Sequence, residues 1–309
     1  MKLDFLIPAT PNDAFFSQIA FFRMCLDYIG GDYKNARLVA TFGDHTSESI
    51  PDDWKPYFEN IDIVWSHSIG AKNPGYRAQH YSRFEVIRPD ADLAVLCDAD
   101  TAILQSFPDI IKKCQSSPAL FGVIAHYHFP IKGKARNPLE QWSEISQLVL
   151  GKNIDLEFNY TLRKPSPIPE APFYINYGFL AGTPELLSKL YKRELELLDK
   201  ASSVVGNFFG AQVALALSVA DLKIPCEPLS MRYNYPNDRK ADQRYPEELN
   251  NIIFMHYLRH TIFDRHKIFT SPQEFERFQK LDLIGSDLVF QKHVMKITKG
   301  IYPFPRSNY

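Results

Sequence analysis

Leu93-Ala94-Val95-Leu96-Cys97-Asp98-Ala99-Asp100-Thr101-Ala102-Ile103-Leu104 is an apolar run interrupted by two carboxylates. Its flanks, Leu93 to Cys97 and Ala102 to Leu104, read as buried strand. A carboxylate pair leaving a buried strand needs partners, because an isolated buried charge is very costly. In extended backbone, residues i and i+2 point to the same side. Asp98 and Asp100 therefore converge on one ligand, and a divalent cation with a taste for hard oxygen fits them.

An Asp-x-Asp triplet arises by chance on the order of once in a chain this long. The same chain carries its own control. Asp90-Ala91-Asp92 repeats the triplet after Pro89 and before the strand, where it reads as a solvated turn. Only Asp98 and Asp100 stand at the exit of an apolar strand.

Working outward, Leu3 to Ile7 is a strand stopped by Pro8. Thr10-Pro11-Asn12-Asp13 follows as a helix start, with Thr10 as the expected cap and Asp13 three residues on. Phe15, Phe16, Ile19, Phe22 and Leu26 recur at helical spacing up to Gly30-Gly31. Ala36 to Phe42 and Ile61 to Trp65 are further strands. Tyr76 to Ile87 is a helix carrying Arg77 and Arg83. The alternation predicts an α/β, Rossmann-type domain with a mostly parallel central sheet. In such sheets ligands bind beyond the carboxyl ends of the strands, where the Thr10 and Asp98 turns both lie. Gly-x-Gly-x-x-Gly and P-loop signatures do not occur.

Beyond Asp100, Phe107 to Cys114 and Leu139 to Leu150 read as helices, with a strand from Leu120 to Ala125 between them. Asn153 to Pro172 reads as a long loop. Glu185 to Lys200 and Gly210 to Ala220 read as helices, and Ile252 to Tyr257 as a short strand. Asn176 and Gln212 are neutral amides in apolar surroundings and need hydrogen-bond partners if buried. Ligand hydroxyls suit them, as do backbone groups. His126, Tyr127, His128, Trp142, Tyr174 and Tyr177 are candidates for the rim of a ligand site, or for ordinary core.

The 309 residues are 45% hydrophobic, enough for one large or two modest domains. A net charge of −1 argues against nucleic acid as a partner. Cys25, Cys97, Cys114 and Cys226 are scattered and form no Cys-x-x-Cys, which fits a reducing compartment. The apolar stretch at Met1–Pro8 is too short and too acidic for a secretory leader, and no run approaches the ~20 residues of a membrane span. The expectation is a cytoplasmic protein. Residues after Asp287 are basic (Lys292, Lys296, Lys299, Arg306) and interleaved with Ile301, Tyr302, Phe304 and Tyr309. That composition suits peripheral contact at the inner membrane face, or a tail packed back on the domain.

Together these segments resemble the GT-A glycosyltransferases, most closely the retaining, glycogenin-like family eight. The resemblance spans about residues 3 to 260 by inspection. Ala9-Thr10-Pro11-Asn12-Asp13-Ala14-Phe15 resembles the uridine-binding opening, with Phe15 where the family has Tyr. Tyr81-Ser82-Arg83-Phe84 resembles the basic helix before the metal motif, and Cys97-Asp98-Ala99-Asp100-Thr101 the motif itself. Ile175-Asn176-Tyr177-Gly178-Phe179 resembles the family's Phe-Asn-Ser-Gly-Val. Met255-His256-Tyr257 resembles the strand of the third metal ligand.

The resemblance implies a GT-A-like catalytic domain over residues 1–263; residues 264–309 lie outside it and read as a helical extension, with short helices at Pro272 to Leu283 and Asp287 to Ile297. It implies transfer of a hexose from a UDP-sugar to a glycan or lipid-linked saccharide, with retention. Donor contacts would come from Ala9, Thr10, Asn12, Phe15, Arg77, Arg83, Asp98, Ala99 and Asp100. Asp98, Asp100 and His256 would hold the metal, Mn²⁺ ahead of Mg²⁺ because of the imidazole. Asn176 and Gln212 would serve catalysis. Two positions depart from the family: its Asp-Gln is Ala211-Gln212 here, and its Lys after the metal-binding His is Ile262. Arg259, His260 and Arg265 are candidates for the missing phosphate contact.

Two alternatives stand beside this reading. A haloacid-dehalogenase-like phosphatase also places Asp-x-Asp after a strand, but wants Thr or Val where Ala102 stands. A GT-A-like domain that binds nucleotide or glycan without transfer is the other.

Overall fold

The computed structural model describes residues 1–43, 47–66, 74–130, 137–164, 166–206, 209–260 and 262–306, and for 74–79 the backbone. Seven strands form the main sheet: β1 (Leu3–Ala9), β2 (Arg37–Phe42), β3 (Asp62–Trp65), β4 (Leu93–Leu96), β6 (Leu120–Ile124), β7 (Ile175–Gly182) and β8 (Cys226–Pro228), in the order β3-β2-β1-β4-β7-β6-β8. β3, β2, β1 and β4 pair in parallel, as do β6 and β8. β7 runs against both its neighbours, β4 and β6. A second sheet joins β5 (Thr101–Ile103), β10 (Phe254–His256) and β9 (Tyr235–Pro236).

β4 is Leu-Ala-Val-Leu, buried throughout. Such continuous apolar strands belong to sheets covered on both faces. The period of two sorts the side chains: Leu93 and Val95 join one core, Ala94 and Leu96 the other. The first core is closed by α1 (Asp13–Ile29), α4 (Pro108–Ser116), α9 (Pro272–Gln279) and α10 (Gly285–Thr298), through Phe16, Phe22, Ile111, Phe278 and Phe290. The second is closed by α3 (Pro74–Glu85), α5 (Pro138–Leu150), α6 (Pro184–Val205) and α7 (Gly210–Leu222), through Phe84, Trp142, Leu190 and Leu217. The short helices α2 (Gly31–Lys34) and α8 (Arg239–Arg244) sit in connections.

One local expectation is corrected. α1 begins at Asp13, not at Pro11, and its cap is Asn12, whose side chain accepts from Phe15 N–H at 3.1 Å. Asn outranks Thr at this position because its short carbonyl reaches the third amide of the helix. At the other end Gly30, at φ 76°, stops the helix as the sequence predicts.

Residues 264–306 share the first core with the sheet. Phe269, Phe278, Phe290 and Phe304 are all buried in it.

Candidate metal centre and donor crevice

β4 ends at Leu96, and Cys97 still donates its N–H to Leu6 O on β1 at 3.1 Å. The chain then turns through Asp98–Asp100. Thr101 Oγ1 closes the turn by donating to Asp98 O at 2.7 Å. β5 follows at once and pairs antiparallel with β10 in the register Thr101↔His256. Tyr257 N–H extends the ladder to Asp100 O at 3.0 Å. That register delivers His256 from far along the chain to the carboxylates.

His256 Nε2 lies 3.2 Å from Asp100 Oδ1 and 3.8 Å from Asp98 Oδ2. Ligand atoms of the three residues fall within 4.8 Å of one another, among the described residues the one such cluster of His, Cys, Asp and Glu. Two carboxylate oxygens and an imidazole nitrogen suit Mn²⁺ or Mg²⁺ and not a thiophilic ion.

The charges bear on one another. Asp98 keeps 34% of its side chain exposed and is otherwise packed against protein. Burial there raises its carboxyl above the usual range, against the pull of His256, and Asp100 adds to the rise. Burial acts on Asp100 in the same direction, yet His256 and Arg265 outweigh it and hold that carboxyl down. Burial alone would lower His256; Asp100 and Asp98 overcome it and raise the imidazole. The Arg265 guanidinium pairs with Asp100 Oδ2 and also donates to Leu258 O at 3.0 Å. Of the candidates for the missing Lys, Arg265 is the one that reaches the centre. Arg259 pairs with Asp238 and His260 with Asp264.

The residues that the resemblance assigns to the nucleoside lie at the start of α1. Ala9 is buried, its carbonyl accepting from Gly43 N–H at 3.1 Å, and Thr10 and Asn12 follow at the turn. Phe15 meets the His266 ring edge-on at 5.7 Å, and Gln18 donates to Arg265 O at 3.1 Å. The segment carrying Arg265 thus spans from the carboxylates to the base of α1. Ala99 is buried beneath the turn.

Arg83 is fully buried. Its guanidinium donates to Cys97 O at 3.4 Å and to His80 O at 3.1 Å, and meets His80 Nδ1 at 2.9 Å. It braces the turn from behind. Arg77 lies on α3, its side chain outside the described portion. Asn176 Oδ1 accepts from Gly178 N–H at 2.9 Å and from Asn234 Nδ2 at 3.0 Å. Gln212, in the first turn of α7, accepts from Tyr174 OH at 3.0 Å, and Tyr177 OH donates to Ala211 O at 3.3 Å. These bonds dock α7 over β7.

The aromatic rim is largely core. Trp142 and Tyr174 are buried, and His128 and Trp142 both bond to the Tyr160 hydroxyl. Tyr127 keeps 38% exposure. His126 is buried on the Thr161 hydroxyl at 2.9 Å, and burial drops its pKa to about 3. The control triplet is tied to the N-terminus, Asp90 to the Lys2 ammonium and Asp92 to the Lys2 amide at 2.8 Å.

Asn234 was not among the sequence candidates. It is a neutral amide between two tyrosines, so the criterion that singled out Asn176 applies to it equally.

No protein-family model and no curated protein sequence matches the chain. Solved structures do. The galactosyltransferase LgtC, in complex with donor and acceptor sugar analogs, aligns over 99% of this chain and 98% of its own, at 13% identity and TM-score 0.53. The fold is GT-A. An active-site mutant of LgtC aligns over the same spans at 12% identity and TM-score 0.54. The bifunctional glycosyltransferase WbbM aligns over 90% of this chain and 51% of its own, at 11% identity and TM-score 0.50.

Proposed function

We propose that this chain is a metal-dependent glycosyltransferase that moves a hexose from a UDP-sugar to a saccharide acceptor. The observation that carries the reading is the convergence of Asp98, Asp100 and His256 where the parallel strands end, His256 Nε2 being 3.2 Å from Asp100. The phosphatase alternative is not carried forward, since the chain aligns with GT-A structures over nearly its whole length.

A nucleotide-sugar departs as a diphosphate, so negative charge grows on the leaving oxygen. A divalent cation supplies charge neutralisation there when bound. Asp98, Asp100 and His256 would hold it. Arg265, paired with Asp100, would donate to the same phosphate oxygens. Asn12, Phe15 and the Thr10 turn line the place for the nucleoside. Asn176 on β7 and Gln212 on α7 would contact the donor sugar. The first turn of α7 carries no acid. An inverting base is thus missing there, which supports retention.

The test is UDP release from a UDP-hexose panel with Mn²⁺. Asp100→Ala should abolish turnover in a folded protein. Asp92→Ala, in the control triplet, should leave it nearly unchanged. Equal losses would sink the site, and UDP binding without release from any donor would leave a binding domain. NMR of the product settles the anomeric course, and an inverted product would refute retention.

A further inference from the structure

A backbone N–H donates and never accepts, which makes Gly178 a fixed starting point for its neighbours. Gly178 N–H meets the Asn176 side chain at 2.9 Å, so the facing atom must be oxygen. That oxygen is also met by the Asn234 side chain at 3.0 Å, so the atom facing it must be the amide nitrogen. The other end of the Asn234 amide is then its oxygen, and it lies 3.0 Å from His256 Nδ1. An oxygen there requires Nδ1 to carry a hydrogen. Every amide flip and ring tautomer along this line is settled by one backbone group.

We propose that Gly178, Asn176 and Asn234 form a hydrogen-bonded relay that fixes His256 as the Nδ1–H tautomer, with Asn234 as its positioning residue. In the neutral ring the relay keeps the hydrogen on Nδ1 and so leaves Nε2, on the side of Asp98 and Asp100, free to bind a cation held between them. It rests on the reading of these three residues as a metal centre. A histidine side chain in water prefers the opposite, Nε2–H form, so the protein must impose this one.

Two further observations support the relay. Asn234 is fully buried, where an amide must be bonded at both ends. A Cβ on Gly178 would lie 2.3 Å from Asn234 Oδ1 and 2.3 Å from His256 Nδ1, so only glycine lets the bond between them pass. The relay also fixes the outer end. With Oδ1 of Asn176 doubly engaged, only its Nδ2 is left for a ligand. Asn176 therefore selects a hydrogen-bond acceptor, such as a hydroxyl or ring oxygen of the donor sugar.

The experiment pairs histidine-selective ¹⁵N NMR with Mn²⁺ titration followed by EPR, on wild type, Asn234→Leu and Gly178→Ala. His256→Gln assigns the signal. Above the imidazole pKa, wild type should show the Nδ1-protonated pattern, and both variants should drift toward Nε2–H. Ligands that lose such a support typically lose 10–100-fold in metal affinity, so both variants should weaken Mn²⁺ by about tenfold or more. A neutral Nε2–H form in wild type overturns the relay, as does Mn²⁺ affinity within about twofold of wild type in both folded variants. A wild type with the Nδ1–H pattern and no Mn²⁺ binding supports the relay and sinks the metal centre instead.

Discussion

Glu194 carries a carboxyl with no exposure, on α6 behind the Asp98 turn. Tyr177 OH donates to one oxygen at 2.8 Å and Tyr81 OH at 3.1 Å, while its second oxygen finds no donor among the described residues. Burial raises its pKa from 4.5 to about 7, against the pull of the two hydroxyls and Arg83. The sign of the consequence is fixed by proton uptake. Between pH 4.5 and 7 the folded chain holds this proton more firmly than the unfolded chain, so stability falls as pH rises through that window. The ceiling on the loss is about 3 kcal/mol. Glu194→Gln keeps an acceptor for both tyrosines and has no charge to bury. Denaturant melts at pH 5.5 and pH 8 should show the variant losing less stability than wild type between the two. Parallel changes would mean Glu194 does not titrate in this window. At this scale Asp98, Asp100 and His256 were legible because a charge in an apolar strand has few explanations. Asn234 carries the same local signal as Asn176, an amide among apolar neighbours, but its partners stand 22 and 58 residues away, so the sequence does not show what that amide serves.

The element that presents the carboxylates is the turn between β4 and β5, and Thr101 is its clasp. The side chain is fully buried and its hydroxyl donates to Asp98 O at 2.7 Å. Thr101→Val keeps the shape and removes the donor. The expected cost is about 1 kcal/mol of stability, the usual net worth of such a bond. Mn²⁺ affinity should drop several-fold, because the Asp98 carboxylate loses the backbone that aims it. Chemical denaturation and Mn²⁺ titration on the same preparations check both. A variant as stable as wild type within a few tenths of a kcal/mol would show that the hydroxyl does not hold the turn. β4 and β10 were legible as apolar runs. β8, β9 and α8 were not, since three, two and six residues in a polar stretch carry no usable period. β9 exists because β10 offers it a partner, and the sequence of 235–236 alone does not say so.

Across the whole molecule, the C-terminal residues bear on the start of α1. The sequence reading set 264–309 apart because the resemblance stops near residue 260; in the structure, residues of 264–306 pack in the same core as β1. Phe304 is 1% exposed, with ring centroids of Tyr57 at 5.1 Å and Trp54 at 5.7 Å. Arg306 lies over the Trp54 ring at 4.8 Å and pairs with Asp13 at 2.7 Å. Asp13 is the first residue of α1, next to the Asn12 cap, and also accepts from Trp54 Nε1 at 2.8 Å. Phe304 and Arg306 are thus engaged in packing and not available to a lipid surface; Ile301 is 70% exposed, and Tyr309 lies outside the described residues. No helix among the described residues is long and apolar enough to cross a membrane. Phe304→Ala tests which role dominates. A packed anchor should lose about 3–5 kcal/mol in chemical denaturation, the range for truncating a buried aromatic ring. Because Trp54 sits between Phe304 and Asp13, the same variant should also loosen the start of α1 and weaken UDP binding. Sedimentation with anionic vesicles at low salt should be unaffected by it. If Phe304→Ala instead abolishes vesicle binding and leaves the denaturation midpoint in place, the ring belongs to a membrane-facing surface and the packing account of the C-terminal residues fails.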